Sequence, residues 1–230
     1  MKKVHRFISS YTVIENKIEI RDKELIHQWK NVLKFKIGEI ITLANTDQGE
    51  ALCTITELSK SGATLSVAEI NKNSREGNKK VLLYLAILKR ENFELVIQKA
   101  AEIGVSKIVP IITEHTIKTG LKYDRLKKIA HEAAELCGRN SVPVIAEAMK
   151  YKDALTDCKD TDRQIIFDIS GGQFKGIKEN SCALFIGPEG GFTDTEITLA
   201  RENNIETASL GSLMLRGETA AIVASYTAIN

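Results

Sequence analysis

Two glycine-punctuated stretches are where the backbone of this chain can come closest to a small molecule. The first is Gly187-Pro188-Glu189-Gly190-Gly191. Three glycines and a proline in five residues cannot continue a strand, and glycine lets a backbone take positive φ and approach a ligand closely. The second is Ser209-Leu210-Gly211-Ser212-Leu213-Met214-Leu215-Arg216-Gly217-Glu218-Thr219. Two such loops so near in sequence point to one pocket more strongly than either does alone.

The flanking residues say how these loops must be held. Residues 183–186 are an apolar run of the kind that forms a strand buried on both faces. After the first loop, Thr193-Asp194-Thr195-Glu196 reads as a capping box, with Thr193 as N-cap and Glu196 three residues on. Strand, glycine loop and capped helix together put the loop at the carboxyl end of a strand, where ligands sit in an open α/β sheet. Upstream, residues 81–88 are a fully apolar strand, followed by a helix with Phe93, Val96, Ile97 and Ala100 on one face and Gly104 at its end. Residues 107–112 form the next strand, and Pro110 argues that it stops there or lies at an edge. A second helix starts near Asp124, carries Leu126, Ile129, Ala130 and Ala133, and stops near Gly138-Arg139-Asn140. Residues 164–169 are a strand before Ser170-Gly171-Gly172, and the closing helix, residues 217–229, is apolar on nearly every side. Alternating strands and helices make this an α/β domain with a mostly parallel sheet.

Residues 1–70 read differently. Short runs at 13–14, 17–20, 39–44, 51–58 and 63–70, separated by turn signals, suggest a small β-barrel. A helix over 22–32, capped by Asp22, carries Leu25, Ile26, Trp29 and Val32. Residues 33–38 alternate basic and apolar, the pattern of a half-buried strand with a solvated face. The polar segment 71–80 is the linker, giving domains over 1–72 and 79–230. Residues 1–80 carry 14 Lys and Arg against 10 Asp and Glu, a net +4, the sign expected of a part that touches phosphates.

Several classes are excluded. There is no P-loop, no early G-x-G-x-x-G and no G-x-S-x-G elbow. Cys53, Cys137, Cys158 and Cys182 are scattered and form no metal-ligand pattern with the histidines, so buried reduced thiols and no zinc site are expected. No apolar run of membrane-spanning length and no signal segment are present, and a cytoplasmic protein is expected.

The segments Phe185-Ile186-Gly187-Pro188-Glu189-Gly190-Gly191-Phe192 and Leu213-Met214-Leu215-Arg216 through Glu218-Thr219-Ala220 closely resemble the RsmE family of 16S ribosomal RNA uridine-N3 methyltransferases, of the SPOUT class. Residues 97–105, 108–110 and 132–139 agree, as do His27, the run 32–34 and Gly38. Four positions depart from the family pattern: Lys34 for a frequent Arg, Arg90 for a Gly, Leu136 for a Gln and Gly217 for a Thr. The resemblance implies a PUA-like β-barrel before a trefoil-knotted methyltransferase domain that binds S-adenosylmethionine. It implies a homodimer acting on 16S rRNA, within the small ribosomal subunit, with naked RNA and an assembly intermediate as the alternatives; the absence of a metal is expected from the Cys and His pattern.

Carried onto this chain, the cofactor residues are Phe167, Gly187, Pro188, Glu189, Gly190, Gly191, Leu210, Gly211, Leu213, Met214, Leu215, Arg216, Glu218 and Thr219. Uridine N3 loses its proton as the methyl arrives, and charge spreads to O2 and O4, so a guanidinium or ammonium would stabilise it. Arg139, Arg216 and Lys89 are the candidates, with Arg90 next. A structural role for Arg216 and a surface position for Arg139 are the bland alternatives. Glu102 as a base competes with a plain ion pair. Arg6, Lys30, Lys34 and Arg90 would hold RNA phosphates. The rival functions are methylation of another RNA, such as tRNA, and non-catalytic RNA binding in assembly.

Overall fold

The computed structural model describes residues 4–72, 76–117 and 119–230. Met1, Lys2 and Lys3 of the basic N-terminus and Asn73, Ser74 and Arg75 of the expected linker lie outside the described residues. The chain divides into two compact units: Met1–Glu76 together with Ala134–Ser141, and Gly77–Ala133 together with Val142–Asn230.

The first unit is built on a five-stranded sheet of β1 (His5–Ile8), β2 (Lys17–Ile20), β3 (Ile40–Asn45), β4 (Gly49–Leu58) and β5 (Ala63–Asn71), in the order β1-β3-β4-β5-β2. β1 runs parallel to β3; the other pairs are antiparallel. Register shifts at Leu52/Cys53 and Ile55/Glu57 bend β4, as bulges do. Phe7, Trp29, Ile41, Leu43, Ile55 and Leu65 form its core. The expected barrel is an open path among the described residues, with no ladder joining β1 to β2.

The helix expected over 22–32 is α1 (Lys23–His27), capped by Asp22, followed by a π turn at Gln28–Val32. Leu33 N–H bonds Gln28 O, one residue further back than in an α-helix. The wider turn keeps Trp29 buried and turns Val32 out, so Val32 leaves the apolar stripe. Residues 33–38 are not a strand, because Lys34 takes φ +55° and the chain turns. Nor are residues 13–14, where only a bridge between Ile14 and Lys17 forms.

The second unit is an all-parallel sheet in the order β12-β10-β11-β6-β7-β8, with β9 on the far part of β7. Its strands are β6 (Lys80–Ala86), β7 (Lys107–Ile112), β8 (Val144–Ile145), β9 (Met149–Lys150), β10 (Arg163–Gln173), β11 (Ser181–Ile186) and β12 (Glu206–Ser209). Its helices are α2 (Arg90–Ile103), α3 (Tyr123–Cys137), α4 (Tyr151–Asp157), α5 (Asp194–Glu202) and α6 (Gly217–Ile229). α3 ends in the residues grouped with the first unit. The continuous apolar runs arise because both sheet faces are covered. Along β6, Val81, Leu83 and Leu85 pack with α2, α3 and α6, while Leu82, Tyr84 and Ala86 pack with α4 and α5.

Pro110 does not end β7 or mark an edge. Beyond β6, β7 pairs with β8 at Lys107 and Ile108 and with β9 at Ile111 and Ile112. Pro110 falls between those two short partners, where no ladder N–H is required. α6 is not buried all round: Ala221, Ala224 and Ala228 are, but Val223 and Tyr226 are exposed. Cys53, Cys158 and Cys182 are buried, and burial pushes their thiols up to about 11, 11 and 12; Cys137 is exposed, against expectation.

Candidate active site

The first glycine loop leaves β11 at Ile186 and enters α5 at Asp194. β11 is anchored by Phe185, which stacks on Tyr84 with ring centroids 4.6 Å apart. The predicted capping box is formed: Glu196 N–H bonds Thr193 Oγ1 at 3.2 Å, and Thr193 N–H bonds Glu196 Oε2 at 2.9 Å. Tyr151 Oη donates to Glu196 O at 2.8 Å, fixing the same turn from below. Gly191 has φ +71°, the left-handed region a side chain disfavours. Gly190 is glycine for another reason: a Cβ there would lie 3.2 Å from the His115 ring.

Two neighbouring strand ends strap this loop. On one side, the Glu189 carboxylate accepts the Lys89 N–H at 3.1 Å, at the N-terminus of α2. On the other is the turn after β7. Glu114 N–H bonds Glu196 Oε1 at 3.0 Å, Thr193 Oγ1 bonds Glu114 Oε2 at 3.2 Å, and His115 Nδ1 lies 3.1 Å from Gly191 O.

Between the two glycine loops lies a cavity of about 250 Å³, at the carboxyl ends of β11 and β12 and beside the register shift in the middle of β10. Eleven of the residues expected at a cofactor line it: Phe167, Gly187, Pro188, Glu189, Gly190, Gly191, Leu210, Gly211, Leu213, Met214 and Leu215. Ile186, Phe192, Ser209, Gly217 and Ala220, which lie in the same two motif stretches, line it too, and Asp168 and Ile169 of β10 join them. Their positions at strand ends beside the glycine loops were the available signal. Asp168 enters because β10 shifts register between Phe167 and Gly172, swelling the chain there. Asp168 and Glu189 are acidic, and no lining side chain is basic. A Cβ on Gly217 would lie 2.9 Å from Leu88 Cδ2 and 3.3 Å from Gly187 O, so the start of α6 sits close against the first loop.

Three expected cofactor residues are not in the wall. Arg216 and Thr219 are exposed. Glu218 is buried, 9% exposed, and its Oε2 has no hydrogen-bond partner among the described residues. Burying an unpaired carboxylate oxygen is costly unless something satisfies it.

The expected catalytic and RNA-facing cations separate. Lys89 and Arg90 are exposed at the end of β6. Arg90 shares Glu94 with Arg125, and those two guanidiniums hold the Glu94 carboxyl down at about 2, Arg125 contributing most. Glu102 is an ion-pair partner of Lys99, at 2.8 Å. Lys30 is half-buried and Lys34 exposed in the first unit. Arg139, a catalytic candidate, is 7% exposed, so its bland alternative of a surface position does not hold; it bonds Glu76 and Ser141 at 3.2 Å each. Arg6 is a correction. Its guanidinium bonds Glu50 at 3.0 Å, Asn140 Oδ1 at 2.6 Å and the Arg139 carbonyl, so it ties residues 134–141 to the sheet instead of facing solvent.

Among the described residues no cluster of His, Cys, Asp and Glu could hold a metal ion, and no helix is long and apolar enough to cross a membrane.

Fold and site together define a class, the RNA methyltransferases: the RNA methyltransferase domain family matches residues 75–229, and the RNA methyltransferase PUA domain family matches residues 30–68. Ribosomal RNA small subunit methyltransferase E of Rickettsia conorii is 31% identical, over 97% of this chain and 94% of its own. That of Bacillus subtilis is 30% identical, over 87% and 85%. The crystal structure of a ribosomal RNA small subunit methyltransferase E from Neisseria gonorrhoeae, bound to S-adenosyl methionine, superposes with a TM-score of 0.86 at 26% identity, covering 97% of this chain and 95% of that one. The chain belongs to the ribosomal RNA small subunit methyltransferase E family.

Proposed function

We propose that this protein transfers a methyl group from S-adenosylmethionine to N3 of a uridine in the decoding region of 16S rRNA. The observation that carries the reading is the cavity between the glycine loops, whose charged lining is acidic only. An acidic wall disfavours a phosphate-bearing cofactor and suits a cationic one, and the donor is a sulfonium. The glycines and the apolar Ile186, Leu210, Leu215 and Ala220 fit its uncharged parts, and Glu218 offers an unsatisfied acceptor nearby. When bound, S-adenosylmethionine supplies an electrophilic methyl.

The chain's own task is positioning and charge. Arg216 lies between the lining residues Leu215 and Gly217 and is exposed, so it is the leading candidate to stabilise charge on uridine O2 and O4. Lys89 and Arg90 are next. Arg139, spent on Glu76, is a weaker candidate. The target base leaves its stack to be methylated, and the first domain, residues 1–72, binds flanking phosphates through Lys30 and Lys34.

We further infer that domain 79–230 is a trefoil knot. Its support is the family resemblance together with the close packing of residues 171–176 on the C-terminal elements: a Cβ on Gly171 would lie 2.6 Å from the Ala208 backbone of the paired strand β12, and one on Gly176 would lie 2.6 Å from Thr227 O in α6. The protein is proposed to act as a cytoplasmic homodimer through exposed Leu213, Met214, Val223 and Tyr226. Light scattering is expected to give about twice the 25.5 kDa chain mass.

Nucleoside mass spectrometry of 16S rRNA from a deletion strain tests the function. Loss of 3-methyluridine, restored by the gene, is expected. Unchanged 3-methyluridine, or methylation of tRNA instead of small subunits in vitro, would reject it.

A further inference from the structure

The His115 ring lies against the first glycine loop but outside the cavity, and nothing in the proposed chemistry uses it. Its Nδ1 is 3.1 Å from Gly191 O. A carbonyl oxygen only accepts, so Nδ1 must carry the proton, in the neutral ring or in the imidazolium. The same ring covers Gly190: a Cβ there would lie 3.2 Å from Nδ1, 3.3 Å from Cγ and 3.4 Å from Cβ of His115. The ring can sit this close only because residue 190 has no side chain.

The turn carrying His115 is itself fixed. Thr113 N–H and Oγ1 both lie 2.9 Å from Thr116 Oγ1, and Glu114 N–H reaches Glu196 Oε1. The histidine is therefore presented from a braced turn at the end of a central strand. It lies against two of the loop's three glycines, residues whose backbone has least intrinsic preference for one conformation. One of them, Gly191, holds φ +71°.

We propose that His115 is a positioning residue for the methyl-donor pocket, holding the Gly190–Gly191 backbone in the conformation that lines the cavity through its Nδ1–H bond to Gly191 O. The inference rests on the reading of that cavity as the S-adenosylmethionine site. His115 is exposed, so its removal leaves no core void. Its effect falls on donor affinity more than on fold stability.

The test is titration calorimetry with S-adenosylmethionine on the full chain, together with steady-state methylation of small ribosomal subunits. His115→Ala is expected to weaken donor binding about tenfold, the size of one lost hydrogen bond and its ordering. KM for the donor should rise by more than kcat falls, and the thermal midpoint without donor should be unchanged. Asparagine places an N–H donor where histidine has Nδ1; glutamine places it one bond further out. His115→Asn should therefore recover most of the affinity, and His115→Gln should not. Wild-type affinity in His115→Ala, or equal affinities for the Asn and Gln variants, would overturn the inference while the pocket stands. Failure of the wild-type chain to bind S-adenosylmethionine would overturn the pocket and the inference together.

Discussion

The two loops that wall the cavity share a glycine-rich grammar and differ in how they are held. The first, residues 187–191, is strapped on both sides, by Glu189 to the Lys89 N–H and by Gly191 O to His115, and it runs into a helix with a complete capping box. The second, residues 210–216, leaves β12 with Leu213 and Met214 79% and 78% exposed, although both line the cavity. α6, which it enters, has no side-chain cap. One wall is preorganised by this chain alone. The other presents apolar side chains to water, an arrangement favoured only when something covers them. A site of this kind has one wall set before binding and orders the other on binding.

The largest expected effect comes from breaking the braced wall. Gly190→Val should lower S-adenosylmethionine affinity about 100-fold, the upper end of the ~1–3 kcal/mol cost of overpacking a fixed contact. Far-ultraviolet circular dichroism should be unchanged. Combined with His115→Ala the loss should be less than additive, because the ring that the introduced valine would strike is gone. Full additivity in that double variant would show that the close approach is irrelevant.

Next comes the unbraced wall. Leu213→Ser with Met214→Ser should leave the chain's own stability within about 0.5 kcal/mol, since both side chains are mostly in solvent. Donor affinity should fall about tenfold, and light scattering should report a shift toward monomer. A large drop in thermal stability with no change in affinity would reverse the comparison.

A smaller effect is expected at the cap. Thr193→Ala removes the Glu196 N–H acceptor and the contact to Glu114, at a cost of about 1 kcal/mol. Urea denaturation should register it as a lower midpoint with an unchanged slope. The subtlest readout is hydrogen exchange. The Gly191 amide, bonded to Pro188 O at 2.9 Å, should be protected without ligand. Amides of 211–215 should exchange fast and slow down on adding S-adenosylmethionine. Equal protection in both loops before ligand is added would remove the distinction.

Both loops were legible because their signals are local. Glycine spacing, the apolar run into Ile186 and the Thr193–Glu196 box are all read within a few residues. The buried strands of the second unit were legible for the same reason, as continuous apolar runs. The misreadings arose where a neighbour decides the outcome. Pro110 sits in mid-sheet because β8 and β9 leave a gap opposite it, and strands of two residues carry no periodicity that could announce that gap. Val32 faces solvent because a π turn shifts the helical phase.

Arginine shows the division most clearly. In the sequence Arg6, Arg90, Arg139 and Arg216 are four equivalent cations beside plausible RNA or substrate contacts. In the folded chain Arg6 and Arg139 are spent on Glu50, Asn140, Glu76 and Ser141, Arg90 is shared with Glu94, and Arg216 is exposed beside the cavity lining. Sequence by itself determined that there would be two glycine loops, a capped helix after the first and a parallel sheet beneath them, because backbone propensity and strand burial act over short stretches. Only the tertiary structure decided which charges remain available, that Glu114 and His115 brace the loop, and that Asp168 and Glu189 make the charged lining acidic. For Arg6 and Arg139 the deciding partners, Glu50, Asn140 and Glu76, lie 44, 134 and 63 positions away, and local sequence carries no record of which of them will arrive.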